Sequence, residues 1–200
     1  MNLFPAFLKL AGRRCLVVGA GPIAQEKIGG LLRADADVRV VAPKATPQIL
    51  SWARTGTVQW DARKFCVDDL NGAFLVVAAT SSPALHAHIF KQARQRGMLC
   101  NVVDDPEHCD FYYGSVVRRG SLQIAISTGG HSPALAQRLR KRLERDFGAE
   151  YEQWLEELGA ARKRLLAKSV PAKRRKSLLH RLASEFSFDE FLRRQKRKRK

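Results

Sequence analysis

The 200-residue chain is poor in acid: 19 Asp and Glu stand against 36 Lys and Arg, a formal net charge of +17. It has four cysteines and no C-x-x-C pair, so the usual dithiol and zinc-ribbon spacings are missing. Cys15, Cys66, Cys100 and Cys109 therefore read as buried free thiols of a reducing cytosol, two of them within apolar runs. No apolar stretch approaches the ~18 residues of a membrane span. Asn2 to Leu10, interrupted by Pro5 and Lys9, is too short for a cleavable signal. A cytoplasmic protein with no membrane segment is expected. There is no internal repeat.

The charge is unevenly placed. Residues 1–110 carry 13 Lys and Arg against 10 Asp and Glu, and residues 111–200 carry 23 against 9. The first half is balanced, while the second attracts anions: nucleic acid, anionic lipid or a small polycarboxylate.

In the first half, Arg14 to Lys27 reads RCLVVGAGPIAQEK. Cys15 to Val18 suits a buried parallel strand, and Gly19-Ala20-Gly21 follows before a helical segment, roughly Ile23 to Arg33. The spacing G-x-G-x-x-A is a variant of the dinucleotide fingerprint. Gly19 permits the tight turn, Gly21 lets backbone approach a pyrophosphate, and Ala24 lets helix pack on strand. The helix N-terminus adds free N–H groups and partial positive charge.

Strand and helix patterns then alternate. Val38 to Ala42 is a second strand, and Thr46-Pro47 caps a helix whose inward face is Ile49, Leu50 and Trp52. Val58 to Trp60 and Phe74 to Ala79 are further strands; Ser82-Pro83 starts the next helix, and Leu99 to Val103 is the fifth strand. Leu3 to Leu10 is expected to pack as an extended arm or strand beside the first strand. This alternation predicts an α/β fold, a Rossmann-like doubly wound parallel sheet, over residues 1–113. Ligands of such sheets bind beyond the carboxyl ends of the strands. The loops Gly19 to Ile23, Ala42 to Lys44 and Thr80 to Ser82 then share one crevice, with Asp104 opening on the same edge.

After Asp104 the pattern changes. Ser115 to Arg118 and Leu122 to Ser127 read as a hairpin turning at Arg119-Gly120. Thr128 to Pro133 opens a helix with Leu135, Leu139 and Leu143 on one face, completing a small α+β segment over residues 114–147. Residues 148–200 read as helical, with breaks near Ser169 to Pro171 and Ser187, and Gln195 to Lys200 as a disordered basic tail.

An acidic residue usually binds the adenosine ribose about 20 positions beyond the glycines. The second strand here ends Val41-Ala42-Pro43-Lys44, without one, and Asp37 lies at its wrong end. Backbone groups could bind the ribose, or Lys44 could favour a 2′-phosphate; NAD is the preferred reading. Asp104 is placed to take a proton while hydride leaves a substrate, or else Asp104 or Asp105 caps the turn with Pro106. His108, Cys109 and Asp110 are adjacent and cannot easily converge on a metal, and His86 and His88 face different ways on a helix. Ser127, Thr128, Gly129 and His131, assisted by Arg118 and Arg119, could bind substrate carboxylates. The clusters Lys173 to Lys176 and Lys196 to Lys200 read as a solvated basic face rather than a nucleic-acid site.

FPAFLKLAGRRCLVVGAGPIAQEKI, VRVVAP, FLVVAAT, CNVVDDPEHCDF and ISTGGHSPALAQRLR, in this order from about Leu3 to Phe147, resemble the precorrin-2 dehydrogenase/sirohydrochlorin ferrochelatase family, the dehydrogenase module of siroheme synthase. The resemblance implies NAD-dependent oxidation of precorrin-2 to sirohydrochlorin, an oxidoreductase of tetrapyrrole and siroheme biosynthesis. In some members ferrous iron is then inserted as a chelatase substrate, a lyase activity. It implies a homodimer formed through the segment after the Rossmann domain. Asp104 in NVVD matches the family's catalytic carboxylate. Pro22 and Ile23 match its contacts after the Gly-rich turn, and Pro43 and Lys44 those after the second strand. The missing ribose carboxylate is then a family trait, and the basic half serves a polycarboxylate substrate. Thr128 stands where relatives often have Ser, and the methyltransferase domain fused to some relatives is not expected within these 200 residues. The alternative function is an NAD(H)-sensing regulator that binds nucleic acid through its basic half. Salt-sensitive, NADH-dependent DNA binding would mark it.

Overall fold

The computed structural model describes residues 3–198. The chain divides into two compact units, Phe4–Tyr113 and a second that begins at Gly114.

In the first unit β1 (Arg14–Val18), α1 (Pro22–Leu32), β2 (Asp37–Val41), α2 (Pro47–Arg54), β3 (Gln59–Asp61), β4 (Leu75–Ala78), α3 (Pro83–Gln95) and β5 (Leu99–Val102) follow one another. The five strands form one parallel sheet in the order β3-β2-β1-β4-β5. The chain winds outward from β1 to β3, then crosses back to β4 on the other side of β1. This is the Rossmann-like sheet, and its order reverses between β1 and β4.

Alternate strand residues enter two cores, so the strands read as continuous apolar runs. Cys15, Val17, Val38, Val40, Leu75 and Val77 pack on one face with Ala24, Ile28 and Leu31 of α1 and Ile49 of α2. Leu16, Val18, Val76, Ala78, Cys100 and Val102 pack on the other with Ile89 and Ala93 of α3. Helices α2 and α3 begin on a hydroxyl cap followed by proline: Thr46 accepts from the Ile49 N–H at 3.4 Å and Ser82 from that of Leu85 at 3.3 Å.

Register brings the strand ends into line. Val18 pairs with both Val41 and Ala78, and Ala78 with Val102. The segments after these four residues therefore leave the sheet along one edge.

Residues 3–9 form no strand. Phe4 and Phe7 are exposed, and only Leu10 is buried, so the expected packed arm is not found. Burial pushes the Cys15 thiol up to about 11 and that of Cys100 to about 12, as expected of buried thiols. The other two depart from that expectation: Cys109 is half-buried and Cys66 is exposed.

The second unit holds the antiparallel hairpin β6 (Ser115–Arg119) and β7 (Leu122–Ile126), then α4 (Pro133–Asp146), α5 (Glu150–Ala167), α6 (Ala172–Leu182) and α7 (Glu185–Lys198). Its centre is aromatic: Tyr151, Trp154 and Phe188 lie within 5.7 Å of one another by ring centroids, and Phe188 stacks on the buried Phe191. Three expectations are corrected here. Leu135 is exposed and Ala136 takes the inward position, because the Ser132 cap sets the helix phase. The break expected at Ser187 falls at Ala183–Ser184, where the Ser184 hydroxyl accepts from the Ser187 N–H and starts α7. Gln195 to Lys198 continue α7 rather than forming a disordered tail; Arg199 and Lys200 lie outside the described residues.

Candidate cofactor and catalytic site

A crevice of about 980 Å³ opens along the carboxyl edge of the sheet. Gly19 to Ala24, Val41 to Pro43, Ala79 to Ser82, Val103 and Asp104 line it, joined by Lys64, Phe65 and Leu85. Gly19, Gly21, Pro22, Ile23, Pro43, Thr80 and Asp104 come together here as expected, and Lys64 and Phe65 join them without a signal in the sequence. Lys44 is exposed and is not among the lining residues.

The two glycines do different work. Gly19 has φ +107°, and a Cβ there would stand 2.1 Å from the Ala79 carbonyl oxygen. Its N–H donates to Val41 O at 3.0 Å and ties the ends of β1 and β2, while Ala79 N–H donates to Val18 O at 2.8 Å and ties the end of β4 beside it. Gly21 has ordinary extended backbone at the N-terminus of α1, and a Cβ there would meet nothing within 4 Å. The empty space beside Gly21 is where ligand backbone contact is available. A dinucleotide pyrophosphate fits this arrangement: a helix N-terminus without a side-chain cap, beside a glycine that leaves its amide uncovered.

The second loop is tied to the turn. Thr46 N–H donates to Ala20 O at 3.1 Å, the Thr46 hydroxyl to Gln25 Oε1 at 2.7 Å, and Trp60 Nε1 to Ala42 O at 3.1 Å. Asp37 is the first residue of β2, 3.7 Å from Arg14 and at the end away from the crevice.

Lys64 and Phe65 reach the crevice from a segment held by charge. Asp69 is buried, accepts from Arg63 Nη1 at 2.9 Å and the Cys66 N–H at 2.9 Å, and lies 3.2 Å from Arg39 Nη2. Burial alone would raise its pKa, but the hydrogen bonds from Arg63 and Cys66 hold it at about 2.

The structure separates the two adjacent aspartates. Asp105 accepts from His108 Nδ1 at 2.7 Å, and that hydrogen bond holds its carboxyl below the usual carboxylate range. The turn with Pro106 is therefore secured by Asp105. Asp104 has φ +60°, a left-handed conformation that aspartate tolerates better than most residues, and its side chain has no hydrogen-bond partner among the described residues. The chain geometry leaves Asp104 at the crevice and uses Asp105 for support. The neighbouring triplet diverges: His108 faces Asp105, Cys109 Sγ contacts the Val102 backbone, and Asp110 accepts from Cys100 N–H at 3.0 Å.

In the second unit Arg118 is exposed. Arg119 is not available for substrate: its guanidinium donates to Phe147 O at 2.8 Å and Glu144 O at 2.9 Å, closing the C-terminal end of α4. The turn before α4 is internally bonded. The Ser127 hydroxyl accepts from Gly129 N–H, that of Thr128 from Ser132 N–H, both at 3.1 Å, while Gly129 and Gly130 take positive φ. His131 is exposed at the same turn.

Residues 6–115 match the family model described as putative NAD(P)-binding, and residues 119–146 match the one described as sirohaem biosynthesis protein central. This chain belongs to the precorrin-2 dehydrogenase/sirohydrochlorin ferrochelatase family. A siroheme synthase of Pectobacterium atrosepticum is 42% identical over 177 residues, covering 88% of this chain and 37% of that protein. One from Neisseria meningitidis serogroup C is 43% identical over 144 residues, covering 72% and 30%. The chain thus spans about a third of the length of these family members. A solved structure described as SirC, precorrin-2 dehydrogenase, superposes with a TM-score of 0.79 at 29% identity, covering 98% of this chain and 100% of that one. Among the described residues no helix is long and apolar enough to cross a membrane.

Proposed function

We propose that the protein is an NAD-dependent precorrin-2 dehydrogenase that forms sirohydrochlorin in siroheme biosynthesis. The observation that carries this reading is the shared crevice: Gly21 and the α1 N-terminus at one side, Asp104 at the end of β5 on the other. Family membership and the SirC likeness supply the substrate.

When bound, NAD supplies the hydride acceptor. Gly21 and the first turn of α1 hold its pyrophosphate, Pro22 and Ile23 flank it, and Pro43 and Thr80 bound the adenosine and nicotinamide portions. Oxidation also releases a proton from the substrate, and Asp104, whose carboxyl has no hydrogen-bond partner among the described residues, takes it. NAD rather than NADP is assigned because, among the described residues that line the crevice, Lys64 alone offers a cation to a 2′-phosphate. Arg118, Ser127, Thr128, Gly129 and His131 are assigned to substrate carboxylates, and the basic half to steering that polyanion rather than to nucleic acid. The unit from Gly114 onward forms the homodimer, the enzyme is cytoplasmic, and ferrous iron is a second substrate.

The test is anaerobic absorbance of precorrin-2 with the protein and NAD. Asp104→Asn tolerates the positive φ and is expected to lower kcat by about 10²-fold or more while NAD affinity holds. NADH formation that persists in this variant overturns the assignment of the base. Siroheme forming no faster than in a protein-free control after adding ferrous iron removes the chelatase arm, and a monomer by light scattering removes the dimer.

A further inference from the structure

His86 is a buried histidine on α3 that the reading above does not use, 8% exposed. Its Nε2 lies 3.3 Å from the backbone N of Thr80, a crevice residue. A backbone N–H can only donate, so Nε2 accepts and the ring proton resides on Nδ1. The same peptide group has a second contact. The carbonyl of Ala79 presses against Gly19, where even a Cβ would stand 2.1 Å away. In a trans peptide the carbonyl and the N–H point to opposite sides. Holding the Thr80 N–H on His86 therefore directs the Ala79 carbonyl onto the Gly-rich turn.

The helix that carries His86 is fixed in phase by the same loop. Ser82 Oγ caps α3, Ser82 O accepts from His86 N–H at 3.0 Å, and the Thr80 hydroxyl accepts from Ser82 N–H at 3.3 Å. One turn of helix past the cap, position 86 points back at residue 80. We propose that His86 is a positioning residue for the cofactor: it clamps the Ala79–Thr80 peptide so that Gly19 keeps its turn and Thr80 its place in the crevice. The inference rests on the NAD reading above and adds a residue to that site.

Calorimetric titration of the full chain with NAD tests it, with no turnover required. His86→Leu leaves the Thr80 donor without a partner and should weaken binding about tenfold. His86→Gln can present its amide oxygen where Nε2 stands and should restore affinity to within about threefold by the same arithmetic; His86→Asn, whose oxygen falls at the Nδ1 position, should not. Hydrogen exchange of the Thr80 amide should accelerate in the Leu variant and slow again in the Gln variant. Wild-type affinity in His86→Leu overturns the proposal, as does equal loss in the Leu and Gln variants, which would mean that only ring volume matters. If His86→Leu does not fold, the contrast between Gln and Asn decides. Failure of the wild-type protein to bind NAD sinks the cofactor reading and this role together, and Thr80 exchange still reports whether the clamp exists.

Discussion

Residues 4–113 hide both faces of a five-stranded sheet, whereas the unit from Gly114 onward, among its described residues, fully buries only Val117, Ala136 and Phe191 of its apolar side chains. It leaves Leu135, Leu166, Leu182 and Phe186 exposed. The first unit has a core on each side of its sheet and places its functional residues on loops beyond it. The second has one aromatic cluster, a two-stranded hairpin and most of the positive charge. Fold specification is therefore concentrated in the first unit, and single side chains matter more in the second. A burial this thin also fits the proposed homodimer, in which a second copy would cover apolar surface.

The sharpest test of the first unit's rigidity sets its two glycines against each other. Gly19→Ala forces a Cβ into the Ala79 carbonyl and strains a positive φ, and should cost more than about 4 kcal/mol of stability. Gly21→Ala meets open space and should cost about 1 kcal/mol as a poorer helix start, while NAD affinity falls. Thermal denaturation beside NAD titration separates the two. Equal stabilities would mean that the β1–β4 approach is looser than it stands here.

In the second unit Phe191→Ala should cost about 3–4 kcal/mol, a large share of what so small a core supplies. Loss of the near-ultraviolet signal from Tyr151 and Trp154 without loss of NAD binding would show that the damage stays in that unit. If NAD binding disappears as well, the units do not behave as separate bodies.

Acid probes the first unit again, through Asp69. Its folded pKa of about 2 lies below the unfolded carboxylate value, so it stabilises the protein fully above about pH 4, and that stability is lost as pH falls toward 2. About 2 kcal/mol is at stake. Asp69→Asn should flatten the acid limb of a stability–pH curve, and an unchanged limb would remove Asp69 from the account.

What could be read from the sequence follows the same division. The strands were legible because both faces are buried, which turns Cys15 to Val18 and Leu75 to Ala78 into unbroken apolar runs. The crevice was legible because loops after parallel strands share an edge. Less accessible was anything decided by a contact between segments: that Gly19 answers to Ala79, that Lys64 rather than Lys44 reaches the crevice, or that Asp105 is engaged by His108 and leaves Asp104 free. His86 had a local signal, four residues after a Ser-Pro helix start, but its meaning depends on where the Thr80 amide points. In the second unit, half-buried helices blur the apolar stripe, so the sequence does not distinguish Leu135 from the inward Ala136 or mark the start of α7 at Ser184.

The smallest expected effect comes from two neighbouring arginines that composition cannot tell apart. Arg119 bonds the carbonyls of Glu144 and Phe147 at the end of α4, groups that would otherwise turn to water. Arg119→Met keeps the aliphatic stem and removes those donors, so it should cost about 1 kcal/mol and leave the KM for precorrin-2 nearly unchanged. Arg118 is exposed and assigned to substrate, so Arg118→Met should leave the melting temperature in place and raise that KM several-fold. The double substitution should show both changes added, because each arginine acts through separate partners. If Arg118→Met moves stability and not KM, the hairpin's outer face has no part in holding the polycarboxylate, and the substrate must find its cations elsewhere in the basic half.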